Sequence, residues 1–165
     1  MYNGLSFGVG GAAGMNICVW DSLYGEEDNT AVRLADLAGE PFSIAERVPG
    51  ADGTAFDLYG WYEGWLKNKN AQSGAQPTYM RVEAADGFEA VIPWQQLGQA
   101  AFVFEQQGQP LAKGFPLRLY VPDGSSACLN VKSVVRIELH YDGLGSDQAT
   151  YGFKNRISAS DLRKI

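Results

Sequence analysis

Hydrophobic and polar positions alternate most clearly over residues 131–140. Val131, Ser133, Val135, Ile137 and Leu139 fall on one face, Lys132, Arg136, Glu138 and His140 on the other, with Val134 as the exception. Period two with β-branched residues predicts a half-buried strand. Residues 117–121 form a shorter strand, entered by Pro116 and closed by Pro122. A proline at either of those ends removes no ladder hydrogen bond. Asp123 and Gly124 begin the connecting loop. Upstream, residues 78–84 and 88–92 predict a hairpin across Ala85, Asp86 and Gly87, with Asp-Gly as its turn. Met80, Val82 and Ala84 share one face of the first strand; Phe88, Ala90 and Ile92 share one face of the second. Residues 93–97 read as a short helical turn, and strands are expected at 16–20, 101–105 and 150–153.

Two stretches carry helical spacing. Residues 31–38 follow Asn29 and Thr30, either of which suits an N-cap, and end at Gly39, a C-terminal stop. Over residues 54–67, Leu58, Trp61, Tyr62 and Trp65 fall at i, i+3, i+4 and i+7, an aromatic stripe expected to enter the core. Gly60 and Gly64 weaken that helix by about 1 kcal/mol each against Ala. Residues 42–48 read as a strand followed by a loop over 49–53, and 160–164 as a terminal turn. Many strands with a few short helices define an α+β class with mixed and antiparallel strands. A single domain over residues 1–165 is expected: a glycine-rich segment 1–29, a core 30–140 and a tail 141–165.

Composition narrows the function classes. Apolar residues at 45% and charged residues at 19% describe a globular chain that can bury a core. Twenty glycines and seven prolines favour turn-rich β architecture over a helical bundle. A formal charge of −6 argues against nucleic acid or an anionic membrane as partner. No apolar run is long enough for a membrane span. Residues 1–29 lack the basic start of a secretory leader. The expected compartment is therefore periplasmic or extracellular if a leader has been removed, and otherwise cytoplasmic.

Few residues group into recognisable chemistry. Gly8, Gly10 and Gly14 have no strand before them, so they do not make a dinucleotide fingerprint. One histidine and two cysteines cannot form the usual zinc set. His140 lies at a strand end without a G-x-S-x-G elbow and reads as a solvated imidazole. Asp52, Asp57, Asp86 and Glu89 could pair for acid–base work, but turn and cap duty fits their positions better. Cys18 and Cys128 could bridge if their Cα atoms come within about 7 Å; otherwise they are separate thiols. Trp20, Trp61, Trp65 and Trp94 could form an exposed aromatic patch of the kind an assembly protein uses.

One resemblance organises these readings. Gly108, Pro110, Leu111, Gly114, Pro116, Leu117, Arg118, Leu119 and Pro122, followed by Val131, Lys132, Arg136, Ile137, Glu138 and Leu139, fall in a telling order. It resembles the C-terminal half of the sulfite-oxidase-type molybdopterin-binding domain family, with Ser133 where that family usually has Trp. The resemblance covers about residues 30–140 and implies that family's α+β fold. It also implies a molybdenum-binding cysteine in or just after the strand expected at 42–48. Glu40 to Gly53 holds no cysteine. Basic residues near Arg118 and Lys132 help hold the pterin's pyrophosphate in the family, so these two are the expected cofactor- or anion-binding residues. No catalytic residue and no metal ligand is assigned. The reading expects a non-catalytic relative without a resident cofactor, binding a small anionic ligand or a protein partner. Molybdopterin is the cofactor the resemblance allows. The alternative is a molybdopterin-dependent oxidoreductase with an atypical metal ligand.

Overall fold

A computed structural model of the chain describes residues 16–71, 74–143 and 148–153. Two sheets share a helical layer. The larger is built from β1 (Ile17–Asp21), β2 (Gly25–Asn29), β5 (Tyr79–Ala84), β6 (Phe88–Pro93), β10 (Val134–His140) and β11 (Thr150–Phe153). Its order is β11-β6-β5-β10-β1-β2, antiparallel except for the parallel pair β1 and β10. The smaller runs β3 (Phe42–Ser43), β4 (Thr54–Asp57), β7 (Ala101–Gln106) and β8 (Gln109–Pro110), with β9 (Arg118–Tyr120) also paired to β7. The helices are α1 (Ala31–Ala38) and α2 (Leu58–Asn68). The α+β class with mixed strands is thus the observed one.

The main core lies on one face of the larger sheet. Ile17, Val19, Met80, Val82, Ala90, Ile92, Val134, Ile137 and Leu139 pack there with Leu34 of α1, Leu58, Trp61 and Trp65 of α2, and Phe102 of β7. The other side of the smaller sheet buries a separate set, Ile44, Ala55, Ala101, Val103 and Leu111. Thr30 caps α1 through its Oγ1, which accepts from Arg33 N at 3.2 Å, and Gly39 ends it at φ +89°. The α2 stripe of Leu58, Trp61, Tyr62 and Trp65 is buried as expected. Burial of Trp61, Trp65 and Trp94, with Trp20 half-buried, overturns the exposed tryptophan patch.

Three local expectations are corrected, and one strand had no expectation. Residues 54–57 are a strand paired with β7, not the first turn of the helix. Asp57 is the N-cap, and its Oδ2 accepts from Gly60 N at 2.8 Å, so α2 can begin only at Leu58. The strand expected over 42–48 stops at Ser43, because Ile44–Glu46 form a 3-10 turn in which Ile44 O accepts from both Arg47 N and Val48 N. β2, with the sequence GEEDN, has no apolar pattern to announce it and is held by β1. Finally, the alternation of 131–140 is broken by a bulge. Val134 pairs with Ala84 and Arg136 with Glu83, leaving Val135 extra, after Ser133 at φ +56°. The bulge puts Val134 on the same buried side as Ile137 and Leu139, which is why Val134 broke the pattern.

Candidate functional site

The two residues expected to hold an anion lie on adjacent backbones. Leu119 N donates to Val131 O at 2.8 Å and Val134 N to Leu117 O at 2.9 Å, so Arg118 on β9 runs beside Lys132 and Ser133. Leu117 and Leu119 are buried while Arg118 is half-buried and Lys132 exposed. Gly114 makes room for the arginine. Its φ is +83°, and a Cβ there would sit 2.4 Å from Arg118 Cγ. The guanidinium lies over the Tyr120 ring, 5.3 Å from its centroid. Among the described residues neither Arg118 nor Lys132 forms an ion pair.

A distinct cleft opens beside α2. Tyr59, Tyr62, Glu63, Leu66, Gln76 and Trp94, with the backbone of Gly74 and Ala75, line a space of about 260 Å³. Tyr59 stacks on Trp94 with centroids 5.0 Å apart, and Tyr62 meets the same indole edge-on at 5.0 Å. Behind it lies Asp21, 1% exposed. Its Oδ1 accepts from Leu23 N at 2.9 Å and Tyr24 N at 3.3 Å; its Oδ2 accepts from Trp65 Nε1 at 2.9 Å and Tyr141 Oη at 3.0 Å. Tyr141 Oη in turn lies 2.8 Å from Tyr62 Oη. Burial pushes the Tyr62 and Tyr59 phenols up, and burial, Tyr62 and the Asp21 charge push Tyr141 up further. All three therefore stay protonated at neutral pH. The sequence showed Tyr62 only as part of a core stripe. Asp21 and Tyr141 are joined through tertiary packing, which no spacing encodes.

The second face of the larger sheet is an ion network. Arg81 bonds Glu83, Glu89 and Glu138, at 3.1, 3.1 and 2.9 Å. Glu138 also accepts from Arg136 Nε at 2.7 Å and lies 2.9 Å from His140 Nε2. Burial alone would raise the Glu138 carboxyl, but hydrogen bonds from Arg136 and His140 and the Arg81 charge outweigh it and hold the carboxyl below its usual range. His140 is thus half-buried, stacked on Tyr79 at 4.5 Å and bonded to a carboxylate, rather than a solvated imidazole. Glu89 belongs to this network. Asp57 caps α2, Asp86 accepts from Phe88 N in the hairpin, and Asp52 lies exposed in its loop. The four acids are not brought together.

The donor set does not fit a protein-ligated molybdenum. Residues 42–53 hold no sulfur, and that segment is tied down by Arg47, whose Nη1 reaches Asp57 Oδ1 at 2.7 Å and the carbonyls of Gln99 and Ala100. Cys18 and Cys128 are free thiols, so no bridge joins them. Cys18 lies on β1 beside Arg136, 3.1 Å from its Nη1. Burial raises its thiol; the Arg136 charge lowers it, and Glu26 and Asp28 raise it again. A metal wants the thiolate. Cys128 is exposed in the turn Ala127–Leu129. Among the described residues no group of three His, Cys, Asp or Glu could hold a metal ion. Among the described residues no helix is long and apolar enough to cross a membrane.

Comparison with known families bears out the resemblance over part of its expected span. Residues 65–144 match the model of the oxidoreductase molybdopterin binding domain. The match runs from within α2 to just past β10 and leaves α1, β3 and β4 outside it. No curated protein and no solved structure matches the chain.

Proposed function

We propose that this chain, which over residues 65–144 belongs to the oxidoreductase molybdopterin binding domain family, is a non-catalytic relative that binds a small anion through Arg118 and Lys132. The observation that carries the reading is the Arg118 guanidinium. It is half-buried, held over Tyr120 and backed by Gly114, yet without a carboxylate partner among the described residues. A planar fork fixed in this way suits an oxyanion, and a neighbouring lysine adds a point charge. A phosphate, a sulfate or the carboxylate of a protein partner would meet the same pair. The protein supplies no sulfur where the family's metal ligand is expected, so no redox step is assigned to it.

Titration with inorganic phosphate, followed by amide and guanidinium NMR shifts, tests this. Saturable shifts should centre on Arg118, Tyr120 and Lys132. Arg118→Ala should weaken binding by roughly 10-fold or more, since hydrogen bonds to charged groups contribute about 1.5–3 kcal/mol. Lys132→Ala should cost less, because its charge is solvated. Unchanged titration of the Arg118 variant would remove the anion site from the proposal.

A further inference from the structure

We propose that the cleft beside α2 is a second ligand site, of opposite preference: it takes a small organic cation carrying N–H donors, in the simplest case a primary alkylammonium. The protons of the phenols come first. All four partners of Asp21 donate to it, the Tyr141 hydroxyl among them. The Tyr62–Tyr141 bond is then donated by Tyr62. If Tyr62 turned instead to Ala75 O, at 3.5 Å, its proton would still be committed to the protein. Tyr59 gives its proton to Trp94 O at 2.6 Å. Both phenol oxygens of the cleft can only accept.

The remaining charged wall is Glu63, exposed and without an ion pair among the described residues. Gln76 adds a side-chain amide that both donates and accepts, so among the described residues the lining holds one carboxylate, two phenol acceptors and no cationic side chain, which disfavours anions. The lining suits an ammonium, whose nitrogen brings donors and no acceptor. The Trp94, Tyr59 and Tyr62 rings add the attraction of aromatic faces and edges for a cation and its adjacent methylenes. The space of about 260 Å³ lies just below the range of drug-sized pockets, roughly 300–1,000 Å³, so the ligand is small. This site shares no residue with Arg118 and Lys132, and it stands or falls independently of the anion reading.

The test is titration of the full chain with n-butylammonium chloride, read from the Trp94 indole and Tyr59 ring signals by NMR. Saturable shifts at both rings are expected. Butyrate should give none, and 1-butanol should bind at least 10-fold more weakly. Tetramethylammonium, with the charge but no N–H, should bind several-fold more weakly than butylammonium. Glu63→Gln alters an exposed side chain and leaves the fold intact; it should weaken butylammonium about threefold, as the loss of a solvent-screened ion pair does. Equal response to 1-butanol, or unchanged affinity in Glu63→Gln, would overturn the cation site. Equal affinity for tetramethylammonium would overturn the role of the phenol oxygens.

Discussion

Gly64→Ala should destabilise the protein by about 3 kcal/mol or more, against the usual direction for such a change. In a helix interior, alanine is ordinarily better than glycine by about 1 kcal/mol. Here α2 crosses α1 so closely that a Cβ on Gly64 would lie 1.9 Å from Leu37 O and 2.8 Å from Leu37 C. The obstacle is backbone, so no rotamer relieves it. Either the helices separate, opening space around buried Leu34, Trp61 and Trp65, or α1 shifts against the sheet. Overpacking costs typically 1–3 kcal/mol where side chains can adjust; a backbone contact belongs at or beyond the upper end. Gly60→Ala is the control, since its Cβ would meet Ala38 O at 3.1 Å, a contact relieved by a shift of a few tenths of an ångström. Denaturant midpoints of the two variants should differ clearly, with Gly64→Ala the lower. A Gly64→Ala variant as stable as wild type would show that the two helices do not meet at this point.

Asp21→Asn should cost about 3 kcal/mol, although it changes almost no volume. The carboxylate satisfies two backbone amides of the β1–β2 turn with one oxygen, and Trp65 Nε1 and Tyr141 with the other. Asparagine keeps one acceptor and replaces the other with an NH₂ group. If the amide keeps its oxygen toward Leu23 and Tyr24, its NH₂ faces the Trp65 N–H, and two buried donors lose their partner. A buried unsatisfied group costs roughly 1–3 kcal/mol. Tyr141 can rotate its hydroxyl to accept from the new amide, which limits the loss. Denaturant unfolding measures the total. The near-ultraviolet signal of Trp65 should also change in the folded state, because its N–H partner is gone. An Asp21→Asn variant with wild-type stability would mean that the carboxylate is not the acceptor for these donors.

How much of this was legible in sequence differs by level. The hairpin at Asp86 and Gly87, the Thr30 cap, the Gly39 stop and the aromatic stripe of α2 all follow from local chemistry, and local chemistry was enough. Residues 42–57 misled because their conformation is set from a distance. Ile44 N bonds Gly53 O, Arg47 reaches Asp57, Gln99 and Ala100, and β4 pairs with β7. Asp57 was a visible cap signal inside a stretch whose first residues also allowed a helix. Val134 was visible as a defect in alternation but not as a bulge, because a bulge is defined by the partner strand. The same limit governs the sites. Arg118 and Lys132 were put forward through the resemblance that the order of Gly, Pro and Arg carries, and Gly114 has a steric reason to precede Arg118 in that order. Glu63, Tyr59 and Asp21 were not found, since a cleft is closed by residues far apart in the chain.

The central proposal is that this chain, which matches the oxidoreductase molybdopterin binding domain over residues 65–144, lacks a protein ligand for molybdenum. It is tested most directly by producing the chain in a host that makes the molybdopterin cofactor and measuring molybdenum per purified chain. The account predicts a content close to zero, unchanged in Cys18→Ser and Cys128→Ser variants. One molybdenum per chain, lost on replacing either thiol, would contradict it and make the protein a molybdopterin-dependent oxidoreductase with an atypically placed ligand.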